Sequence, residues 1–204
     1  MRRTREEAEK TRLQVIEAAL KLFSKQGFSR TTLNMIAEEA GFSRGPIYWH
    51  FRNKDELFEA VLQYSQQPLQ QLVETALAEP DPRSAIDGFI ESWFTLLNED
   101  KWYRQSFEIL LNKTELTESM ANTLKRERRL TRHIINMLAQ RLKDAERVDQ
   151  AKLSDHAEDL ALLGYTYLMG ITQSWLFAPR LFPLAEQAPF FRRRLLTLLD
   201  IKPA

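Results

Sequence analysis

Apolar residues recur along this chain at intervals of three and four almost from end to end. That is the period of an amphipathic helix, and no stretch alternates convincingly in the two-residue rhythm of a strand. Leu13, Ile16, Leu20 and Phe23 form the first stripe, Gly27 stops it, and Phe28 folds back over its end. Leu33, Ile36, Ala37 and Ala40 form a second, short stripe. Thr31 or Thr32 can cap it by accepting a first-turn N–H, and Gly41 can take the left-handed conformation that ends it. Phe42 then turns inward, Ser43 caps again, and Arg44–His50 makes a third helix with Ile47 pointing into the angle between the two. Two short helices joined by a glycine-containing turn are a helix-turn-helix. A long fourth helix is expected from about Lys54 to Leu77, and AEPDPR (78–83) is the clearest break in the chain. Further helices are expected over about 84–98, Trp102–Leu111, Thr117–Lys143, 155–177 and 186–200. The fold class is all-α. A three-helix head over residues 1–53 is joined by the fourth helix to a helical body over 54–204.

The third helix has unusual content for a packing element. After Ile47 and Phe51 are assigned to the core, Tyr48, Trp49 and His50 remain, each a large ring with a polar tip. A recognition helix sets its N-terminal residues against base edges in the major groove. Arg44 can make a two-pronged bond to guanine there, and Gly45 lets backbone approach the groove floor or a thymine methyl. The N–H and O–H groups of Tyr48, Trp49 and His50, with the hydroxyls of Thr31, Thr32 and Ser43, suit phosphate oxygens. Lys54, at the start of the next helix, suits phosphate as well. Pro46 is acceptable because it lies in the first turn, where its missing N–H costs no internal bond.

The stretch AGFSRGPIYWHFRNKDELF resembles the DNA-binding signature of the TetR family of transcriptional repressors, and the resemblance covers about Thr11 to Leu62. Phe42 stands where valine is commoner and Pro46 where alanine or threonine is usual; neither removes a contact group. The resemblance implies a dimer that reads double-stranded, palindromic operator DNA.

Charge supports a DNA-reading head only once it is divided. The whole chain carries +1. Residues 1–54 hold 11 Lys/Arg against 6 Glu, a net +5, and the remainder holds 18 against 22, a net −4. A basic head on an acidic body is the footprint of a DNA reader attached to something else. Arg2, Arg3 and Arg5 either follow a DNA groove or form a frayed, solvated terminus. The KRERR block at 125–129 reads as a solvated face ahead of a second DNA site. There is no cysteine, hence no disulfide and no thiolate metal site. The basic N-terminus lacks the apolar run of a secretory signal, so a cytoplasmic protein is expected. His50, His133 and His156 are scattered, and no phosphate loop, HExxH or GxSxG occurs, so neither an enzyme nor a cofactor is expected.

In the body, Phe89, Trp93, Phe94, Trp102, Tyr103 and Phe107 are more aromatic surface than a small helical core needs. Pockets between bundle helices bind small molecules through apolar walls and a few polar anchors. Phe89, Trp93, Phe107 and Leu111 are the candidate walls, Glu108 and Asn112 the candidate anchors, with Gln105 a further possibility. The occupant would be a small hydrophobic or cationic inducer. A scaffold that takes no ligand, or a metabolic-operon repressor with a narrow inducer, remains the alternative. Between Asp159 and Arg180 lie 20 uncharged residues, long enough to test as a membrane span. Tyr165, Thr166, Tyr167, Thr172, Gln173 and Ser174 interrupt the run, so no membrane partner is expected. A helix apolar nearly all round is otherwise buried on several sides. This helix, with Gly164, Tyr167, Gly170 and Trp175, and the last one, with Phe191, Leu195 and Leu198, are expected to pack against their mates as a homodimeric four-helix bundle. The competing reading makes them internal core.

RRTREEAEKTR, IYWHFRNK, FEILLNKTEL and QSWLFAP together are similar to the AcrR-like subgroup, repressors of multidrug efflux pump operons. This resemblance implies a broad hydrophobic pocket accepting drugs, dyes or bile-salt-like compounds, and de-repression when it is filled. FEILLNK lacks the paired histidine and the cysteine common near there in that subgroup, so ligand identity does not transfer.

Overall fold

The computed structural model describes residues 5–112 and 121–202. Ten helices run through them: α1 (Arg5–Gln26), α2 (Leu33–Glu39), α3 (Arg44–His50), α4 (Lys54–Ser65), α5 (Gln67–Ala78), α6 (Pro82–Glu99), α7 (Lys101–Asn112), α8 (Ala121–Arg147), α9 (Ala157–Phe177) and α10 (Leu184–Leu198). The sole extended pairing among the described residues is an isolated antiparallel bridge between Ala151 and Ile201. The all-α expectation therefore holds. The expected cap at Thr117 and the arginines Arg2 and Arg3 lie outside the described residues.

The expected long fourth helix is two helices. α4 ends at Ser65, capped by Gln66, whose backbone N–H bonds back to the Leu62 carbonyl at 3.0 Å, and α5 begins at Gln67. The cause is Pro68, which lacks an N–H and whose ring excludes the carbonyl four residues earlier from an unbroken helix. At the second residue of a new helix the same proline is harmless.

Packing divides the described residues into two compact units, one within Met1–Gln67 and Trp102–Leu124, the other within Pro68–Lys101 and Lys125–Ala204. The first is built on Val15, Ile16, Leu20 and Phe23 of α1, Ile36 and Ala37 of α2, Ile47 of α3, Leu57, Phe58, Val61 and Leu62 of α4, and Ile109 of α7. Phe28 does fold back, with its ring 5.5 Å from Phe23 and 4.9 Å from Phe58. Gly27 ends α1 at φ 86°, where a side chain would be strained. Asn53 caps α4 by accepting the Glu56 N–H at 2.8 Å, and the Glu56 carboxylate accepts the Arg52 N–H at 2.7 Å.

In the second unit, Ile86, Phe89, Ile90, Trp93 and Leu97 of α6, Ile134, Leu138 and Leu142 of α8, Leu160 and Leu168 of α9, and Leu195 of α10 are buried. The indole N–H of Trp93 donates to the Thr172 hydroxyl at 3.0 Å, which satisfies its polar atom inside an otherwise apolar layer. Asp81 caps α6 by accepting the Ser84 N–H at 2.8 Å, with Pro82 in the first turn. None of the described helices is long and apolar enough to cross a membrane.

Candidate functional site

The turn between α2 and α3 decides what α3 presents. The Gly41 N–H bonds to the Glu38 carbonyl at 3.1 Å and the Phe42 N–H to the Ala37 carbonyl at 2.8 Å. This double closure of a helix C-terminus requires the residue after the cap to be left-handed, and Gly41 has φ 74°. Phe42 packs against the head core and Ile47 is fully buried, so two apolar anchors set the rotation of α3. The opposite face is solvent. Ser43, Arg44, Gly45, Tyr48 and Trp49 are exposed there, Trp49 at 74% and Tyr48 at 56%. Large exposed rings whose neighbours are an arginine and a cap serine form a polar-tipped surface suited to phosphate and base edges. A Cβ added at Gly45 would meet no neighbouring atom within 4 Å, so that stretch of backbone is open to an approaching groove.

Four head residues depart from expectation in detail. Ser43 stands at the cap position, but its hydroxyl makes no capping bond. Thr32, not Thr31, caps α2, accepting the Met35 N–H at 3.3 Å. Thr31 is fully buried, its hydroxyl donating to the Gly27 carbonyl at 2.8 Å and accepting from the Gln26 amide at 3.2 Å; it is a turn residue, and its inclusion among surface contacts is corrected. The Lys54 ammonium donates to the Phe28 carbonyl at 2.9 Å and the Thr31 carbonyl at 3.0 Å, and stands 4.1 Å from the centre of the Phe28 ring. It holds the α1–α2 turn against the start of α4, and burial pushes its pKa below the ordinary lysine value while Asp55 raises it. His50 is half-buried, its ring 4.6 Å from Trp49 and 6.2 Å from Phe51.

The candidate ligand residues fall in both units. Phe89 and Trp93 are buried together in the second, ring centres 6.0 Å apart. Phe107 is buried in the first against Tyr103, edge to face at 5.1 Å, while Glu108 and Leu111 on the same helix are half-buried. Gln105 donates to the Ser24 hydroxyl at 2.9 Å, which makes it a head-core residue. The side chain of Asn112 lies outside what is described.

The two helices expected at the dimer interface have two faces each. Gly164 is buried, and a Cβ there would come within 3.2 Å of Leu199 and 3.8 Å of Leu138. Leu195 is fully buried. Both belong to the internal core, which corrects their assignment to the interface. Tyr167 and Phe191 are half-buried and meet each other, the phenol donating to the Phe191 carbonyl at 3.4 Å, and Trp175 is also half-buried. Gly170 and Leu198 are exposed. Leu162, Leu163, Phe177 and Phe190 join them, residues the sequence reading passed over. The seven-residue spacing of Leu163, Gly170 and Phe177 was the signal available, but on a helix apolar all round it does not stand out. On α8, Lys125, Arg128 and Arg129 are exposed and Arg126 pairs with Glu127 at 3.5 Å.

Residues 15–61 match the family of bacterial regulatory proteins named for tetR, and residues 81–201 match the C-terminal region of MAATS-type transcriptional repressors. The chain is similar to the HTH-type transcriptional regulator AcrR of Shigella flexneri, 32% identical over 189 residues that cover 92% of this chain and 88% of AcrR. It is 36% identical over 181 residues to the HTH-type transcriptional regulator TtgR of Pseudomonas putida, covering 88% of this chain and 86% of TtgR. Among solved structures it is similar to NalD, the secondary repressor of the MexAB-OprM multidrug efflux pump in Pseudomonas aeruginosa. That likeness has a TM-score of 0.80 at 30% identity, with 95% of this chain and 97% of NalD covered.

Proposed function

The chain belongs to the TetR family of DNA-binding transcriptional repressors, and from that premise we propose that it represses a multidrug efflux operon as a homodimer on a palindromic operator and is released by a small hydrophobic or cationic compound. The observation that carries the reading is the solvent face of α3, where Arg44 and Gly45 precede two exposed polar-tipped rings on an otherwise closed core. One such helix reads only a few base pairs, each worth roughly 1–3 kcal/mol of discrimination. A two-fold axis doubles that readout and demands a palindrome.

The exposed Leu162, Leu163, Phe177, Phe190 and Leu198 of α9 and α10 support the dimer, because clustered large hydrocarbon side chains left in water mark a protein contact. NalD represses an efflux pump, and that role is what favours an efflux operon here over a metabolic one. Cytoplasmic residence follows from where operator DNA is. Release by ligand would act through the separation of the two heads, the one geometric variable a palindromic site cannot tolerate changing.

The test is a titration of the protein with DNA from upstream of its own gene and its neighbours, run with and without lipophilic cations, dyes and bile salts. Specific binding that one of these compounds releases is the expected result. Specific binding that no compound disturbs removes the inducer from the proposal, and absence of any specific binding removes the operator.

A further inference from the structure

A cleft of 390 Å³ opens in the second unit between α6, α10 and the C-terminal residues, and four of the side chains that line it are cationic: Arg83, Arg192, Arg193 and Lys202. Two of the four are neutralised. Arg192 donates to Asp87 at 2.8 Å and lies 3.0 Å from the Glu91 carboxylate, and Lys202 pairs with Asp149.

The other two are not. Arg83 is half-buried, and its guanidinium makes no ion pair or hydrogen bond among the described residues; it feels Asp81 only through space. It also occupies the first turn of an 18-residue helix, where the macrodipole favours an anion and penalises a cation. The Arg193 guanidinium carbon stands over the Phe190 ring, 5.8 Å from its centre, and the group has no acid partner among the described residues. The rest of the lining is the Asp87 carboxylate, held by Arg192, the side chain of Thr197, and the hydrocarbon of Leu196, Ile201 and Pro189.

We propose that this cleft binds an amphiphilic anion, with a carboxylate or phosphate head between Arg83 and Arg193 and an apolar body against Leu196, Ile201 and Pro189. Its volume lies in the range of small-molecule sites, about 300–1,000 Å³. The two free cations come from different helices, so an occupant ties α10 to the start of α6. The chain's own tail makes the same tie from the other side. The Lys202 N–H donates to the Gln150 carbonyl at 2.9 Å, and the Gln150 side chain accepts the Arg83 N–H at 3.1 Å. Occupancy therefore braces the second unit. The site is independent of the operator-reading proposal and of the aromatic pocket assigned to the inducer.

Isothermal titration of the full chain with octanoate, with octanol and with inorganic phosphate tests this, using wild type, Arg83→Glu and Arg83→Glu/Arg193→Gln. An acidic residue in the first turn suits the helix dipole, so Arg83→Glu keeps the fold, and an unchanged thermal transition without ligand verifies that. The expected result is saturable octanoate binding, one per chain, at least tenfold weaker in each variant, with phosphate and octanol each binding more weakly than octanoate. Octanoate binding that survives both variants, or no saturable binding at all, overturns the site. Phosphate or octanol binding as tightly as octanoate overturns the amphiphile assignment.

Discussion

Two surfaces of this chain leave large apolar side chains in water, and they do so with different chemistry. On α3 the exposed groups are Tyr48 and Trp49, rings with an O–H or N–H at the tip, next to Arg44 and the Ser43 hydroxyl. On α9 and α10 they are Leu162, Leu163, Phe177, Phe190 and Leu198, hydrocarbon without a donor, and Phe177 reaches 83% exposure. The first set suits a partner made of phosphates and base edges, which offers acceptors and stacking faces. The second suits only another apolar surface, because nothing else compensates its removal from water. Gly170 lies seven residues from both Leu163 and Phe177, open on its outer side, so a second helix can come close along that line. The lesson is that exposure alone does not identify a partner; the atoms at the tips of the exposed groups do.

The comparison breaks most readily at the hydrocarbon face. Leu163→Asp with Phe177→Asp should raise the dimer dissociation constant at least about a thousandfold, since each side chain is lost once per protomer and burying each is worth about 1.5–3 kcal/mol. Sedimentation equilibrium measures this, and a double variant that stays dimeric at low micromolar concentration would move the interface elsewhere. At the other face the effects are smaller. Arg44→Ala should weaken operator binding by about 1–3 kcal/mol and relax base choice at one position per half-site. Selection of sites from a random pool reads this directly, and an unchanged consensus would sink the base-reading role.

Lys54→Met separates the two ways a lysine can serve the head. Bound to two carbonyls, Lys54 should cost about 1 kcal/mol of stability when lost, part of its hydrogen bonding being offset by burial of its charge. Loss of a phosphate contact would instead lower the salt slope by about one. We expect the stability change to dominate. Its folded pKa lies below the unfolded 10.5, so the folded state binds fewer protons in that interval and stability rises as pH approaches 10.5. The methionine variant should lack that rise in a pH series of Tm.

The smallest effect belongs to the body's local structure. Asp81→Ala removes the α6 cap and should cost about 1 kcal/mol near neutral pH. Hydrogen bonds from Ser84 and Gln150 hold the Asp81 pKa below the ordinary 3.8, so its contribution is present above that value and lost as pH falls through the folded one. Wild type and variant should therefore converge in acid, and a gap that persists at the lowest pH would place the effect outside the carboxylate.

The helix-turn-helix was legible because its signals are local. Gly41 is needed at one backbone angle, Phe42 and Ile47 at one spacing, and no distant residue can substitute for either. Thr31 was misjudged, and the carbonyl contacts of Lys54 were not legible, for the opposite reason. Their partners are Gln26 and Gly27 for Thr31 and the Phe28 carbonyl, 26 residues away, for Lys54, and no local pattern marks such pairings. The α4–α5 break was written in Pro68, and the apolar periodicity running through it masked the signal.

What the sequence by itself determined was the helical class, the reading head with its turn, the concentration of positive charge in the first 54 residues and membership of a repressor family. Only the tertiary structure decided which way each helix faces. Gly164 and Gly170, or Leu195 and Leu198, are alike in composition, yet one of each pair is buried against neighbouring helices and the other meets solvent. Helical period sets the angles between residues on one helix. Which angle meets a neighbour depends on the packing of every other helix around it, and on a helix apolar on all sides no polar residue marks the outward face.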